Sequence, residues 1–259
     1  MNVYRLPQLS GRFLPVWRRN LLVWKKLAIA SMLGNLAEPM ITMLGLGYGL
    51  GSLMAEVNGV SYIAFLAAGT VCFSTMNSAT FEALYSAFSR MEAQKTWDAI
   101  MNAPVTLDDV VLAELIWAAS KSFLSGLAIL LVVWLLGLSH SPLGLWVVLL
   151  LPLFGVAFAG PGLAVTALAP SYDFFMYYFT LVITPMAMIS GVFFPVEQLP
   201  QALQVASALL PLSHAVALAR PLLLGAVPDQ VLLHLVVLLA YAGGGLYAAT
   251  VLFRKRLVR

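Results

Sequence analysis

Six long apolar segments are the feature that most limits the folds open to this chain. Each is close to the roughly 20 residues that an α-helix needs to cross a bilayer. Their apolar residues are continuous rather than alternating, which excludes a transmembrane β-barrel, and helices satisfy every backbone polar group within lipid. We therefore predict an all-α membrane protein. The predicted spans cover residues of about 27–53, 60–85, 112–136, 143–168, 174–194 and 231–253.

Composition supports one membrane domain over residues 27–259, preceded by a distinct segment, residues 1–26. Of the 259 residues, 61% are hydrophobic and 10% are charged, whereas soluble domains carry roughly 25% charged residues. The formal net charge of +3 is too small to indicate a nucleic-acid partner. The single cysteine and three scattered histidines lack the spacing of a metal site, so we predict no metal and no cofactor on this chain.

Residues 1–26 are basic and contain no acidic side chain. Their aromatic residues recur at helical spacing on one face, and basic residues recur every seven positions on another. This pattern predicts an amphipathic helix on the membrane surface, with its aromatics in the interface and its basic side toward lipid phosphates. The alternative is a disordered basic tail that only orients the first span. The residues chosen for the interface helix are Arg12, Phe13, Trp17, Arg19 and Trp24.

The distribution of basic residues predicts the orientation. Basic side chains precede the first span, lie in the central loop and follow the last span, whereas Arg220 is alone on the other side. The positive-inside rule therefore places both termini and the central loop in the cytoplasm. Six spans also require both termini to lie on one side. The basic residues after the last span are Arg254, Lys255, Arg256 and Arg259.

The central loop, residues 86–111, is the one long polar interval. Within it, Trp97, Ile100 and Met101 form a short apolar helical face, and Pro104 ends that turn. Thr106 is followed three residues later by Asp109, a pattern typical of a helix N-cap. We predict a short helix that docks a soluble partner; the alternative is a solvated loop. The docking residues are Thr96, Trp97, Asp98, Ile100, Met101 and Pro104.

Residues 195–230 are apolar but are interrupted by five prolines, so no uninterrupted run can cross a membrane. We predict short re-entrant helices in the outer leaflet, because broken backbone at membrane depth must be shielded from lipid. The alternative is a hydrophobic loop on the outer surface. The prolines are Pro195, Pro200, Pro211, Pro221 and Pro228.

Three ionisable residues lie within or near the spans, where charges are costly and often functional. For Glu38, a group that faces a substrate cavity and a group that only pairs or reaches the surface are both open. For Glu82 and Lys121 we favour structural pairing. The glycine pairs of the first span, Gly45 with Gly49 and Gly47 with Gly51, allow close helix packing, within the chain or between two copies.

Two kinds of catalytic machinery are missing or weak in the sequence. The chain has no Gly-x-x-x-x-Gly-Lys motif, so it cannot bind ATP as P-loop proteins do. Ser190-Gly191 and His214 invite comparison with intramembrane serine proteases, but Met188 stands where rhomboid proteases have glycine. We therefore expect a membrane protein that is not an enzyme.

Two stretches resemble the ABC-2 type permeases, the membrane subunits of ABC exporters, and among them the NodJ group. One is the central loop from Phe81 to Ser122. The other is the tail, with Phe194-Pro195, Leu199-Pro200, the run Pro211 to His214, Arg220 and Gly225. Ala113-Glu114 departs from the glycine-glutamate expected there. The match covers nearly the whole chain.

The resemblance implies an exporter built from two permease chains, expected to be identical, and two P-loop ATPase subunits of the NodI type. ATP and Mg²⁺ would bind to the ATPase. The helix near Thr96 to Pro104 would be a coupling helix, and residues 169–173 a second cytoplasmic connection. An amphipathic molecule bearing lipid or oligosaccharide would leave across the bacterial inner membrane. The candidates along its path are Glu38, Phe193, Phe194, Pro195, His214 and Arg220.

A different class of transporter remains open from the residues alone. In an ion-coupled secondary transporter or channel, Glu38 would be the ion or proton site, and no ATPase would be needed. The two classes differ in their energy source, which is therefore the property that separates them.

Overall fold

The computed structural model describes residues 3–54, 56–57 and 59–257, so Arg259 lies outside the described residues. It confirms an all-α membrane protein, with one two-residue β-ladder as the exception. The strands are β1 (Glu56–Val57) and β2 (Val60–Ser61). The helices are α1 (Phe13–Lys25), α2 (Ala28–Gly49), α3 (Tyr62–Phe81), α4 (Thr96–Met101), α5 (Leu107–Leu135), α6 (Leu145–Leu168), α7 (Asp173–Tyr178), α8 (Thr184–Ile189), α9 (Gln201–Ser207), α10 (Pro211–Leu224) and α11 (Val231–Leu257).

Five helical segments of the described chain are long and apolar enough to cross a membrane. The predicted span 174–194 corresponds to α7 and α8, which a π-helical turn, Phe179–Ile183, joins into one helix. This helix ends at Ile189 and has 17 residues, the lower limit for a span. The count of six spans therefore stays a prediction. The five segments are Ala28–Ser52, Tyr62–Ala93, Leu107–Leu135, Pro142–Leu168 and Val231–Leu257.

The second span is longer than predicted, because the predicted loop from residue 86 begins as helix. Two π-helical turns, Glu82–Ser86 and Ser89–Ala93, extend α3 to Ala93. Glu82 and Arg90 of this extension are buried in ion pairs, and Glu92 is partly exposed, so the first part of the predicted loop is not a solvated loop. The predicted N-cap of the next helix is confirmed: the Thr106 hydroxyl accepts from the Asp109 amide at 3.2 Å, and Asp109 accepts from the Thr106 amide at 3.1 Å.

The proline-rich region is helical rather than an irregular loop. A 3₁₀ turn, Val196–Gln198, leads into α9, which meets α10 at an angle of 85°. Gly225, with φ of +91°, ends α10 in a conformation that favours glycine. The position of this bent pair within the membrane remains a prediction.

A small antiparallel hairpin precedes α3 and was not predicted from the sequence. Val57 pairs with Val60 across the β-ladder. Val57 is also buried together with Tyr62, Phe65 and Leu66 in a satellite cluster beside the main core. The hairpin thus holds the loop between α2 and α3 against the start of α3.

Glycines bring α6 and α11 together at backbone contact. A Cβ atom at Gly245 would lie 2.7 Å from the carbonyl carbon of Gly160, so neither position accepts a side chain without displacing a helix.

In α2, Gly47 lies against Ile63, which supports packing within the chain. At Gly45 and Gly49 an added Cβ atom would meet no atom of the described chain within 4 Å, so a seam between two copies stays open for that pair.

We expect Gly245→Ala to lower the thermal unfolding temperature of the purified protein in detergent. Overpacking of this kind costs about 1–3 kcal/mol. The matched control is Gly244→Ala in the same helix, where an added Cβ meets nothing within 4 Å. Since alanine favours helix by up to about 1 kcal/mol over glycine, the control should be as stable as wild type or slightly more stable. Equal loss of stability in both variants would contradict the packing described for this pair.

Candidate coupling site

Four charged side chains form a buried cluster at the end of the bundle that carries α4. Arg90 Nη2 lies 2.9 Å from Glu82 Oε1, and Arg90 Nε donates to the two Glu114 oxygens at 3.0 and 3.1 Å. Lys121 Nζ donates to Glu82 Oε2 at 2.7 Å. Every side chain in the cluster is at most 13% exposed. The two positive and two negative charges balance, as buried charges require.

Helical spacing explains how the cluster forms. Glu82 and Arg90 are eight residues apart on the π-helical extension of α3, and Glu114 and Lys121 are seven apart on α5. Each pair therefore projects from one side of its helix. The structure confirms structural pairing for Glu82 and Lys121. Arg90 and Glu114 were not singled out, although opposite charges at matching spacing on neighbouring helices are a signal that sequence analysis can use.

Three neutral side chains complete the hydrogen bonding of the two carboxylates. Trp97 of α4 and Asn20 of α1 donate to Glu114 Oε1 at 3.2 and 3.3 Å, and Trp117 of α5 donates to Glu82 Oε1 at 2.7 Å. The cluster therefore joins α1, α3, α4 and α5. A shift of α4 cannot occur without a change in these bonds.

The apolar face of α4 turns toward the protein, which corrects the prediction that it forms the outer docking surface. Trp97 is fully buried and packs edge-to-face on Phe253, with ring centroids 4.8 Å apart. Ile100 and Met101 are partly buried against the same core. The apolar stripe of this short helix is used by its own chain, because α11 offers an apolar surface beside it. The exposed residues of α4 and the turn after it are Asp98, Ala99, Asn102, Ala103 and Pro104.

Two arginines of α1 hold the ends of the α4 segment. Arg12 Nη1 donates to the Pro104 carbonyl at 2.9 Å, and Arg19 Nη2 lies 3.4 Å from the Thr96 hydroxyl. Burial lowers the pKa of Arg19, the positive charge of Arg90 lowers it further, and Glu114 opposes both effects. The predicted basic face of α1 thus partly contacts the α4 segment.

The aromatic face of α1 is partly covered by α5, and its place in the membrane interface stays a prediction. Trp17 Nε1 donates to Ser120 Oγ at 3.1 Å, and the Trp24 and Trp117 rings meet edge-to-face with centroids 5.9 Å apart. Phe13 is also partly buried. The aromatics contact α5 because its side chains supply both an apolar surface and a hydrogen-bond acceptor. The outward side of α1 carries Leu14, Arg18, Leu22, Val23 and Lys25.

The described ends of the chain meet beside α4. Arg254 of α11, which is 1% exposed, donates to Asp108 Oδ1 at 2.9 Å and to the Val3 carbonyl at 3.1 Å. The amide of Gln8 donates to Asp108 Oδ2 at 2.9 Å, and the Ser10 hydroxyl donates to Asp109 Oδ1 at 2.7 Å. The segment before α1 and the end of α11 are therefore fastened to the start of α5, at one end of the bundle.

Arg256 ties the connection after α6 to the same region. Its Nη1 donates to the Ala169 carbonyl at 2.7 Å, and its Nη2 donates to Glu92 Oε1 at 2.9 Å. The predicted connection at residues 169–173 is therefore linked to the extension of α3 rather than free.

Glu38 lines a polar cavity of about 290 Å³ between α2 and α3. It accepts a hydrogen bond from Asn77 Nδ2 at 3.2 Å, and Asn35 Nδ2 lies 3.4 Å from Ser78 Oγ in the same cavity. Glu38 is exposed on the single chain and has no basic partner within 4.0 Å among the described residues. The cavity interpretation of Glu38 is thus compatible with its position, and its role stays a prediction.

Aromatic side chains border this cavity toward the coupling end. Phe81, which lines the cavity, stacks on Tyr85 with centroids 4.6 Å apart. Tyr85 meets Phe175 at 5.1 Å, and Phe88 meets Tyr172 at 4.9 Å. Polar groups and aromatic faces therefore lie side by side along α3 and α7.

The tail residues chosen from the sequence divide into two places. Near the start of α3, Phe193 meets Phe73 at 6.1 Å, Phe194 is partly buried and Pro195 is buried. Arg220 lies against this segment, with its guanidinium 3.7 Å from the centroid of Phe65. His214 belongs to a second place, which faces α11.

His214 forms a pair with His234 of α11 that the sequence did not reveal. Their Nδ1 atoms are 2.7 Å apart, and His214 Nε2 lies 3.0 Å from the Ala208 carbonyl oxygen. Both ring nitrogens of His214 are therefore occupied by partners other than Ser190. Geometry thus gives no support to a serine–histidine catalytic pair.

Comparison with known proteins identifies the class. A sequence model of the ABC-2 type transporter family matches residues 12–224. The chain therefore belongs to the ABC-2 type transporter family, and it is a multi-pass membrane permease subunit of the transporters that pair such subunits with an ATPase.

The curated relatives narrow the resemblance. Nodulation protein J of Rhizobium leguminosarum bv. viciae is 49% identical over 259 residues, which is 100% of both chains. Nodulation protein J of Rhizobium meliloti (strain 1021) is 48% identical over 256 residues, 99% of this chain and 98% of the relative. That of Azorhizobium caulinodans is 31% identical over 180 residues, 70% of this chain and 71% of the relative. The resemblance to the NodJ group is confirmed.

We expect Glu114→Ala to lower the stability of the protein strongly. It removes the acceptor of Arg90, Asn20 and Trp97, and loss of one partner from a buried ion pair costs about 3–5 kcal/mol. The control is Lys95→Gln, which breaks the exposed pair with Glu92, where Lys95 is 62% exposed. Exposed pairs contribute about 0–1 kcal/mol. Thermal unfolding in detergent measures both, and similar losses would contradict the importance assigned to the cluster.

Proposed function

We propose that the chain is the permease of an ATP-driven exporter, working as two copies with two P-loop ATPase subunits of the NodI type. ATP and Mg²⁺ bind to the ATPase, and the exported molecule is amphipathic, bearing lipid or oligosaccharide. The complex lies in the bacterial inner membrane, with both termini of the permease in the cytoplasm. Family membership and full-length similarity to nodulation protein J support this proposal.

The observation that carries the proposal is the two-sided arrangement of α4. Its outer side offers exposed small and polar residues, among them Asp98, Ala99 and Asn102, in reach of a soluble subunit. Its inner side holds Trp97, which donates to Glu114 in the buried ion cluster. When a soluble subunit displaces α4, the bond from Trp97 to Glu114 would therefore move with it. The ion pairs of Glu114 would then transmit this displacement to α3 and α5.

The link from α4 to the charge cluster through Trp97 suggests how ATP hydrolysis drives the permease. ATP can shift the permease between states only if the ATPase that binds it contacts those states differently. In our proposal, closure of the two ATPase subunits moves α4, and the cluster of Glu82, Arg90, Glu114 and Lys121 transfers the movement to α3 and α5. The two permease chains then rearrange and release the substrate on the far side.

The surface along α2, α3 and α7 favours an amphipathic substrate. The cavity of Glu38 and Asn77 offers hydrogen-bond partners, and the neighbouring Phe81 and Tyr172 are 48% and 41% exposed. Aromatic faces contact apolar chains and sugar rings alike, while polar groups meet hydroxyls. In a complex of two copies, this surface would be the natural lining of a path.

We expect Ala99→Arg to weaken association with the ATPase by about tenfold or more, since loss of about 1.4 kcal/mol of binding free energy suffices for a tenfold effect. The added side chain lies on the exposed side of α4 and leaves Trp97 in place. The measurement is co-purification of the ATPase with the tagged permease from native membranes, followed by assay of ATP hydrolysis.

The matched control is Ala202→Arg, which places the same side chain on an exposed alanine of the short helix α9, at the opposite end of the bundle. This variant should retain the ATPase. Undiminished co-purification with Ala99→Arg would remove α4 as the docking element, although the protein could still belong to an ATP-driven complex.

An ion-coupled transporter is the alternative, favoured by the position of Glu38 in its polar cavity without a basic partner in the described chain. We expect Glu38→Gln to leave ATP hydrolysis by the reconstituted complex unchanged, with or without an ionophore, because hydrolysis is controlled at α4. Absence of any co-purifying ATPase from an intact preparation, together with loss of substrate transport when the ion gradient is collapsed, would establish the alternative.

A further inference from the structure

A second cavity, of about 230 Å³, lies at the end of the bundle opposite α4. The start of α3, the segment after α8 and one side of α10 enclose it. It shares no lining residue with the Glu38 cavity or with the buried charge cluster. The lining residues that matter here are Phe65, Ser190, Gly191, Glu197, Ser213 and Arg220.

Arg220 is a partly buried arginine without an ion-paired carboxylate in the described chain. Its Nη2 donates to the Gly191 carbonyl, and its guanidinium lies over the Phe65 ring. Its Nε is enclosed and has no hydrogen-bond partner among the residues that the structure describes. Arg90 and Arg254, in contrast, each bind a carboxylate. Within the described chain no acidic oxygen lies within the 4.0 Å of an ion pair with Arg220.

Ser190 supplies a second unsatisfied group in the same cavity. Its hydroxyl is buried and has no hydrogen-bond partner in the described chain. Buried polar atoms are nearly always hydrogen-bonded, so an orphaned donor calls for an explanation. Arg220 and Ser190, which carry these two unsatisfied donors, both line one cavity. A negatively charged acceptor suits both groups better than water does, because hydrogen bonds between ionised partners are the stronger ones.

We propose that this cavity binds an oxyanion of the phosphate class, free or as a lipid headgroup, through Arg220 and Ser190. The Nη2 bonds to backbone carbonyls fix the guanidinium, and Nε and the serine hydroxyl remain for the ligand. Glu197 lines the same cavity with an exposed side chain, and its charge opposes the anion and favours release. This binding goes beyond the proposed function and does not depend on the ATPase.

The test uses the full-length protein purified in nonionic detergent. Calorimetry measures binding of inorganic phosphate, and native mass spectrometry compares phosphatidylglycerol with zwitterionic phosphatidylcholine. Ser190→Ala removes a hydrogen bond to a charged group, so we expect it to weaken binding at least about tenfold. We expect Arg220→Lys to weaken it further, because lysine cannot present the guanidinium, and Glu197→Gln to tighten it. The matched control for general charge effects is Arg18→Gln, an exposed arginine of α1, which should change nothing.

The outcomes separate the sources of the anion. Binding of both phosphate and phosphatidylglycerol supports a site for the oxyanion itself, and binding of the lipid alone supports a headgroup site. No preference for phosphatidylglycerol and no phosphate binding would overturn the proposal. If Arg220→Lys does not fold, the opposite effects expected for Ser190→Ala and Glu197→Gln decide, and equal affinity in those two variants also overturns it.

Discussion

Pairing of charges inside an apolar protein is the constraint on which the rest of this structure depends. Arg90 lies between Glu82 and Glu114, and Lys121 balances the cluster. An unpaired charge at such a site would cost several kcal/mol, so the helices that carry these residues must keep their mutual positions. The extension of α3 through two π-helical turns follows from this need, since an early end to the helix would leave Arg90 in solvent. The buried place of α4 follows as well, because Trp97 completes the bonding of Glu114.

Charge pairing also explains the contacts of Arg254 and Arg256, and it distinguishes them from Arg220. Arg254 and Asp108 fasten the last helix and the N-terminal segment to α5, and Arg256 links the end of α6 to Glu92. Each of these arginines has a carboxylate. Arg220 has none within 4.0 Å in the described chain, and it lies at the far end of the molecule, where we propose that it binds a ligand. The end of the bundle that carries α4 is thus stabilised by internal ion pairs. At the opposite end, Arg220 has no ion pair within the described chain.

Local patterns in the sequence predicted the fold well, and contacts between distant residues did not. Continuous apolar runs determine helices in lipid, and the Thr106–Asp109 capping box needs only three residues of sequence. The apolar face of α4 was identified but placed on the wrong side, because the spacing of Trp97, Ile100 and Met101 is the same whether the face meets a partner or its own chain. Pairs such as Arg90 with Glu114 or His214 with His234 depend on which helices are neighbours, and periodicity within one helix does not contain that information.

Site-specific photocrosslinking from position 99 in native membranes tests the central claim most directly. A photoreactive residue at Ala99 lies on the exposed side of α4, and the same residue at Ala202 of α9 serves as the control. Our account predicts an adduct with a P-loop ATPase from position 99 and none from position 202. An ATPase that co-purifies with the permease but crosslinks elsewhere, with no adduct from position 99, would contradict the account.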